Sequence, residues 1–345
     1  MLAPAPNARA MKTLTDVTEA LNRVFGEEQD KHAAHRRAAP ILEQASREPS
    51  FLTGVFEKHL AEPGSLEALN YPVVSLKPAS TPFFELAVNC WIPLPSADTH
   101  VTTKAIHHHG TLLLTTATIF GIGYEHMLFS PAAPVDKGKD LFSMKLTESE
   151  LHPLHHVAFV DKWVPHVPLY PPSLTITLAL WSGSARSTWK DRVKRVPVIK
   201  KNEKLLRAAV KRLGLTKRLD LKVIEYFDYF PVPAAEGTGF RGMRERQEFA
   251  LGPNEHHLKS FFHTLQQTDN AQLAPLARRS LAACAASTRA LGEPLVDALE
   301  KGRPIHGHLS EGHFGIPFAN FTKQEILRAA SGPQVPRMVE TEHGR

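Results

Sequence analysis

The chain has 345 residues, 42% hydrophobic and 22% charged, the profile of a globular protein with its own core and not of a disordered or low-complexity chain. It has no run of about 18 apolar residues, and its start, Met1-Leu2-Ala3-Pro4-Ala5-Pro6, lacks a basic and an apolar leader region; a cytoplasmic protein without a membrane-spanning helix is the expectation. The net charge of +6 is concentrated between Arg186 and Lys222, with 14 Lys or Arg against 3 acidic residues, and because only Trp189 interrupts this stretch as an aromatic, a solvated face is expected there and nucleic-acid binding is not.

From about Thr15 to Leu69 apolar and charged residues alternate at helical spacing, with Val17, Leu21, Val24 and Phe25 as one stripe, so residues 1–74 are expected to form an N-terminal helical segment. Pro72, Pro78 and Pro82 then punctuate the chain, and Phe84, Leu86, Val88, Cys90 and Ile92 recur with period two. Short strands continue through Thr111–Phe120, a hairpin turn at Gly121-Ile122-Gly123, Tyr124–Phe129, a loop from Pro131 to Gly138, and on to Trp181. Many short strands with turns between them predict a sandwich or barrel over residues 75–185 and not a βαβ repeat. Residues 186–345 are expected to be a mixed, mostly helical region packed on that barrel: a helix at Lys204–Leu213, a strand at Leu221–Phe230, a loop at Pro231–Gly242, and helix from Glu255 to Glu300 broken near Gly292. Cys90 and Cys284 are too few and too distant for a disulfide framework or a metal pair and are expected to be buried thiols.

Among 19 histidines, the group His107-His108-His109 opens an apolar, β-branched run, and His166 opens another, Val164-Pro165-His166-Val167-Pro168 leading into Leu174-Thr175-Ile176-Thr177-Leu178. In a strand alternate side chains share a face, so His107 and His109 point one way and His108 the other. With His166 arriving from a neighbouring strand, three neutral imidazoles make a candidate site for iron, zinc, copper or nickel that keeps positions open for substrate or oxygen. His152, His155 and His156, before the strand-like Val157-Ala158-Phe159-Val160, compete with His166 as the third ligand. Tyr124 and His126 share a strand face, and with Trp163 and Tyr170 they are the substrate-pocket candidates. A second group, His306-Gly307-His308 with His313, has ligand-like spacing on a glycine-bearing segment, but a flexible exposed stretch is the expectation there and a metal site is not.

Residues 80–185 resemble the cupin, or double-stranded β-helix, superfamily. The His107-x-His109 pair followed by Gly121 is similar to its first motif, and His166 with the strand after it to its second. The motif's Glu position falls at Leu113 or Leu114, the glycine before the first His is Val101, and the Asn after the second-motif His is Tyr170. Loss of the Glu leaves a three-His set, as in the cysteine and cysteamine dioxygenase branch; the tyrosine of that branch has no counterpart, since Trp181, Ser182 and Gly183 occupy its region. The resemblance implies a mainly β cupin barrel with helical segments at both ends, an α+β protein. It implies a mononuclear non-haem iron(II) oxygenase acting on a small molecule with O2, with His107, His109 and His166 holding Fe(II), or Zn, Mn or Ni in its place. Two other readings stand beside it: a non-catalytic cupin that binds a small ligand or metal, and a zinc- or manganese-dependent isomerase or hydrolase. No nucleic-acid or membrane partner is expected, and a second copy of the chain in a homodimer is the one protein partner considered.

Overall fold

A computed structural model describes residues 13–69, 73–92, 101–102, 106–136, 138–183, 227–243, 255–306 and 321–332. Helix α1, Leu14–Glu27, opens on a capping box in which the Asp16 N–H donates to the Thr13 hydroxyl oxygen and the Thr13 N–H donates to the Asp16 carboxylate. Its stripe of Val17, Leu21, Val24 and Phe25 is buried, as the 3.6-residue spacing predicts. Helices α2, Lys31–Ser46, and α3, Pro49–Ala61, follow. Pro49 lies in the first turn of α3, where a missing N–H breaks no helical bond.

Twelve strands come next: β1 (Val73–Ser80), β2 (Glu85–Trp91), β3 (Val101–Thr102), β4 (Ile106–His108), β5 (Leu112–Phe120), β6 (Tyr124–Phe129), β7 (Ala133–Asp136), β8 (Leu141–Ser143), β9 (Leu146–His152), β10 (Val157–Val160), β11 (His166–Pro168) and β12 (Thr175–Gly183). The C-terminal region adds β13 (Phe227–Pro231), β14 (Phe240–Met243), α4 (Glu255–Gln267), α5 (Ala274–Ala282), α6 (Ala286–Glu300), β15 (Phe321–Thr322) and α7 (Lys323–Ala330). One sheet runs β1-β2-β12-β5-β10, a second runs β7-β8-β14-β13-β4-β11-β6-β9, and β15 pairs with β3. Within them, β2-β12-β5-β10 and β4-β11-β6-β9 interleave so that strands successive in the chain, such as β5 and β6, leave one sheet for the other. All these neighbours are antiparallel. That is the two-Greek-key jelly roll of the double-stranded β-helix.

Each sheet packs an apolar core on its outer face. On β12, Ile176, Leu178 and Leu180 point outward into the main core with Phe25, Phe51, Phe56, Phe261 and Phe262 of the helices. Ala179 points inward and packs with Ala87, Leu114 and Val160, against which Leu128 of the other sheet closes. His35 of α2 fixes the helices to the outer face, with Nδ1 2.7 Å from the Thr115 hydroxyl and Nε2 2.8 Å from the Ser182 hydroxyl. The outer face of the eight-stranded sheet has its own core of Ile106, Met127, Phe129, Val167, Tyr229 and Phe240, capped by Ile326 and Ala329 of α7.

Among its described residues the C-terminal region mixes four α-helices with three short strands; β13 pairs with β4 and β14 with β13 and β8, so these two strands widen the histidine-bearing sheet. Two elements differ from the sequence expectation. The stretch expected as loop to Gly242 turns into strand at Phe240. Helix α6 runs unbroken through Gly292, where the Leu281 side chain fills the space a Cβ would need; the helical breaks fall before α5 and α6 instead. The basic stretch from Arg186 to Lys222, the helix expected at Lys204–Leu213, and His308 and His313 lie outside the described residues. Cys90 and Cys284 are buried free thiols, and burial pushes the Cys90 thiol up. Among the described residues no helix is long and apolar enough to cross a membrane.

Candidate metal centre

The ladder between β11 and β4 sets His166 directly opposite His107. Residues opposite each other in an antiparallel pair share a face, and His109 shares it by period two. The three imidazoles therefore meet inside the barrel: ring centroids are 4.7 Å apart for His107 and His109, 4.7 Å for His107 and His166, and 4.5 Å for His109 and His166. One ring nitrogen from each lies within 4.8 Å of the others. His166 is buried at 3% exposure, while His107 and His109 are half-buried. The Nδ1 of His166 lies 3.0 Å from the Val164 carbonyl oxygen, so this nitrogen carries the proton and donates, leaving Nε2 as the ligating atom. Trp181 stands edge-on to His109 at 4.2 Å and walls the site. These donors fit a metal ion: they are neutral nitrogens, mutually close, with at least one tautomer set by the backbone.

Deeper in the barrel the register continues in layers. His126 lies opposite Pro168 on one side and Glu150 on the other, and Tyr124 lies opposite His152. The His126 ring is 5.3 Å from His166 and 5.1 Å from His152, so it spans the space between them. Burial first, then the neighbouring His166, His152 and His107, hold His126 well below the usual histidine range, which keeps it neutral. Tyr124 is pushed up to about 12 by burial and stays a phenol. It stacks on Trp91 at 6.0 Å, and Tyr170 meets the edge of Trp91 at 5.6 Å, so Trp91, Tyr124 and Tyr170 form an aromatic floor beside His126, whose ring is 6.0 Å from that of Tyr124.

One substrate-pocket candidate falls elsewhere. Trp163 takes a left-handed backbone with φ 61°, is 45% exposed, and packs on His108 at 5.1 Å, on the face opposite the three histidines, so it does not line the pocket. His108 accepts a hydrogen bond from the Gly110 N–H at Nδ1 (3.2 Å) and faces Tyr229, as the alternation predicts. His152, His155 and His156 do not supply the third member of the group. His152 and His156 gather instead with Glu150. One residue was missed by the sequence reading: Asp228 of β13 is registered with His107 and so shares its face. An Asp inside the strand expected at Leu221–Phe230 was the available signal, but nothing local says which strand it will join.

Fold and site together define a double-stranded β-helix with a histidine-rich lumen, an assignment that rests on the strand order. No protein-family model matches the chain and no curated protein matches it. Solved structures similar to it include DMSP lyase DddQ from Ruegeria pomeroyi DSS-3, at 11% identity over 34% of this chain and 49% of that one with a TM-score of 0.23. Others are an uncharacterized conserved protein with a double-stranded β-helix domain from Klebsiella pneumoniae subsp. pneumoniae MGH 78578, at 13% identity over 34% and 83% with a TM-score of 0.22, and oxalate oxidase in complex with glycolate, at 12% identity over 37% and 59% with a TM-score of 0.23. The chain spans about half the length of the DMSP lyase it matches.

Proposed function

We propose that this protein is a metal-dependent cupin enzyme, a mononuclear non-haem iron(II) oxygenase acting on a small molecule with O2. The observation that carries the reading is the group of His107, His109 and His166, three imidazoles whose ring nitrogens lie within 4.8 Å of one another inside the barrel. Iron(II) held there would supply one-electron chemistry toward oxygen and a positive centre for an anionic donor of the substrate. Because the three side chains are neutral, the ion's charge is left to the Asp228 carboxylate on the His107 face and to the substrate, which favours one bearing a thiolate, carboxylate or enolate. Trp181 and the Trp91–Tyr124–Tyr170 floor exclude water on two sides. Asp228, on the His107 face, serves as the acceptor of the substrate's proton at its carboxylate oxygen.

Anaerobic purification followed by metal analysis, then oxygen uptake by the iron(II)-loaded protein with a panel of small thiols and carboxylates, tests this. The expected result is bound iron and substrate-dependent oxygen consumption without 2-oxoglutarate, lost in His166→Ala. Equal turnover under argon, or a requirement for 2-oxoglutarate, would falsify it. The Asp228 carboxylate also favours a second reading, a zinc- or manganese-dependent isomerase or hydrolase. That reading is identified by zinc or manganese in the purified protein and turnover indifferent to oxygen. Ligand binding without turnover of any kind would make the protein a binding cupin.

A further inference from the structure

Among the described residues the two sheets end in unshared edges: β9 is the last strand of one and β10 the last strand of the other. Residues 153–156 carry the chain across that seam. Glu148, Glu150 and His152 share one face of β9 by period two, and the turn brings His156 back beside them. The His152 and His156 rings stack with centroids 4.7 Å apart and 28° between planes. One donor atom each from Glu150, His152 and His156 lies within 4.8 Å of the other two. His152 is 4% exposed, His156 half-buried and Glu150 exposed, so the group reaches from the lumen wall to solvent.

This arrangement is held by more than the three side chains. The turn places His155, a non-glycine residue, in the left-handed region at φ 68°, a conformation that residues with a Cβ adopt only where the surroundings hold it. It is fixed by hydrogen bonds from the His155 N–H to the Thr118 carbonyl (2.8 Å), from the Thr118 N–H to the His156 carbonyl (3.1 Å), and from the Thr118 hydroxyl to the His152 carbonyl (3.0 Å). Gly123, at φ 96°, passes so close beneath that a Cβ there would strike the His152 carbonyl oxygen. The Tyr124 hydroxyl is 3.2 Å from Nδ1 of His152, and an Nδ1–H donating to that oxygen leaves Nε2 as the ligating atom.

We propose that Glu150, His152 and His156 form a second divalent-metal site, separate from the His107–His109–His166 group, that clasps the end of β9 to the turn into β10. Two imidazoles and one carboxylate select a borderline transition metal such as Zn2+, Co2+ or Ni2+ over Mg2+ or Ca2+, which take oxygen donors. The site sits on the seam through which the barrel edges would part, so its occupancy holds the barrel closed. This inference stands independently of the oxygenase reading.

The experiment is a titration of the metal-stripped, untagged full chain with Co2+ and with Zn2+, counting bound equivalents by calorimetry and following Co2+ by visible absorption. Four proteins are compared: wild type, His166→Ala, the pair Glu150→Gln with His156→Gln, and all three together. The expected counts are two, one, one and none, with affinity at the seam weakened at least 100-fold in the double variant. Metal should raise the Tm of His166→Ala and leave that of the triple variant unchanged. The altered seam residues are exposed or half-buried, and far-UV circular dichroism verifies that the variants fold. A double variant that still binds both equivalents, or a His166→Ala protein that binds none, overturns the proposal. One equivalent in wild type that survives His166→Ala and is lost in the double variant supports the seam site and removes the basis of the oxygenase reading instead.

Discussion

The two sheets of this barrel carry different burdens. The five-stranded sheet is backed by helices from both ends of the chain, and its outer residues merge with Phe25, Phe51, Phe56 and Phe261 into the larger core. Its inner face is apolar and aromatic, with Ala87, Leu114 and Ala179 beside Trp91 and Trp181. The eight-stranded sheet is backed by a smaller core and carries His107, His109, His126, His152, His166 and Asp228. Stability is thus concentrated on one wall and chemistry on the other, which lets donors with unfavourable burial sit where they would otherwise unfold a thin structure.

The strongest way to break this comparison is to damage the supporting wall. Phe56 is fully buried among the helices, and Phe56→Ala should cost about 3–5 kcal/mol in chemical denaturation while leaving the number of metals bound by the folded protein unchanged. A change in stoichiometry would mean that the two walls are not separable. On the other wall, His107→Ala, His109→Ala and His166→Ala should each weaken binding at the three-histidine group by about 100-fold or more, beyond the range seen for outer partners of ligands. His108→Ala, on the opposite face, should keep that metal, and its loss on metal analysis would overturn the assignment of faces.

A finer division comes from pH. Burial, with His32 and Lys31 adding to it, lowers His35 to about 4, and burial does the same to His59. The unfolded chain, at the ordinary value near 6.5, takes up protons that the fold refuses. Stability should therefore be full above pH 6.5 and fall as the pH drops from there toward 4. Replacing His35 by Gln should make that slope shallower in metal-free protein, measured as the denaturant midpoint against pH; an unchanged slope would place the acid sensitivity elsewhere. The smallest effect expected is that of Tyr124→Phe, which removes the hydroxyl beside His152 and should cost roughly 1 kcal/mol of stability while weakening metal at the seam more than at the three-histidine group. Equal weakening at both would show that the floor acts on the lumen as a whole.

Much of this was legible in the residues. The stripe of Val17, Leu21, Val24 and Phe25 gave the first helix, and the period-two runs gave the barrel strands, because both patterns are local consequences of backbone geometry. The same alternation put His107 and His109 on one face and His108 on the other. What a period cannot give is a partner. That His166 lies opposite His107, that Asp228 joins the same face from beyond the barrel segment, and that His152 and His156 meet Glu150 instead were settled by which strands pair and in what register, a choice made when non-local edges find each other. Trp163 was misplaced for a related reason: its neighbour in sequence, His166, points into the lumen, but a left-handed backbone turns Trp163 out onto His108. The sequence by itself determined the elements and the faces of their side chains. The tertiary structure alone decided which faces meet, since that depends on burial and pairing over the whole chain and not on any local run of residues.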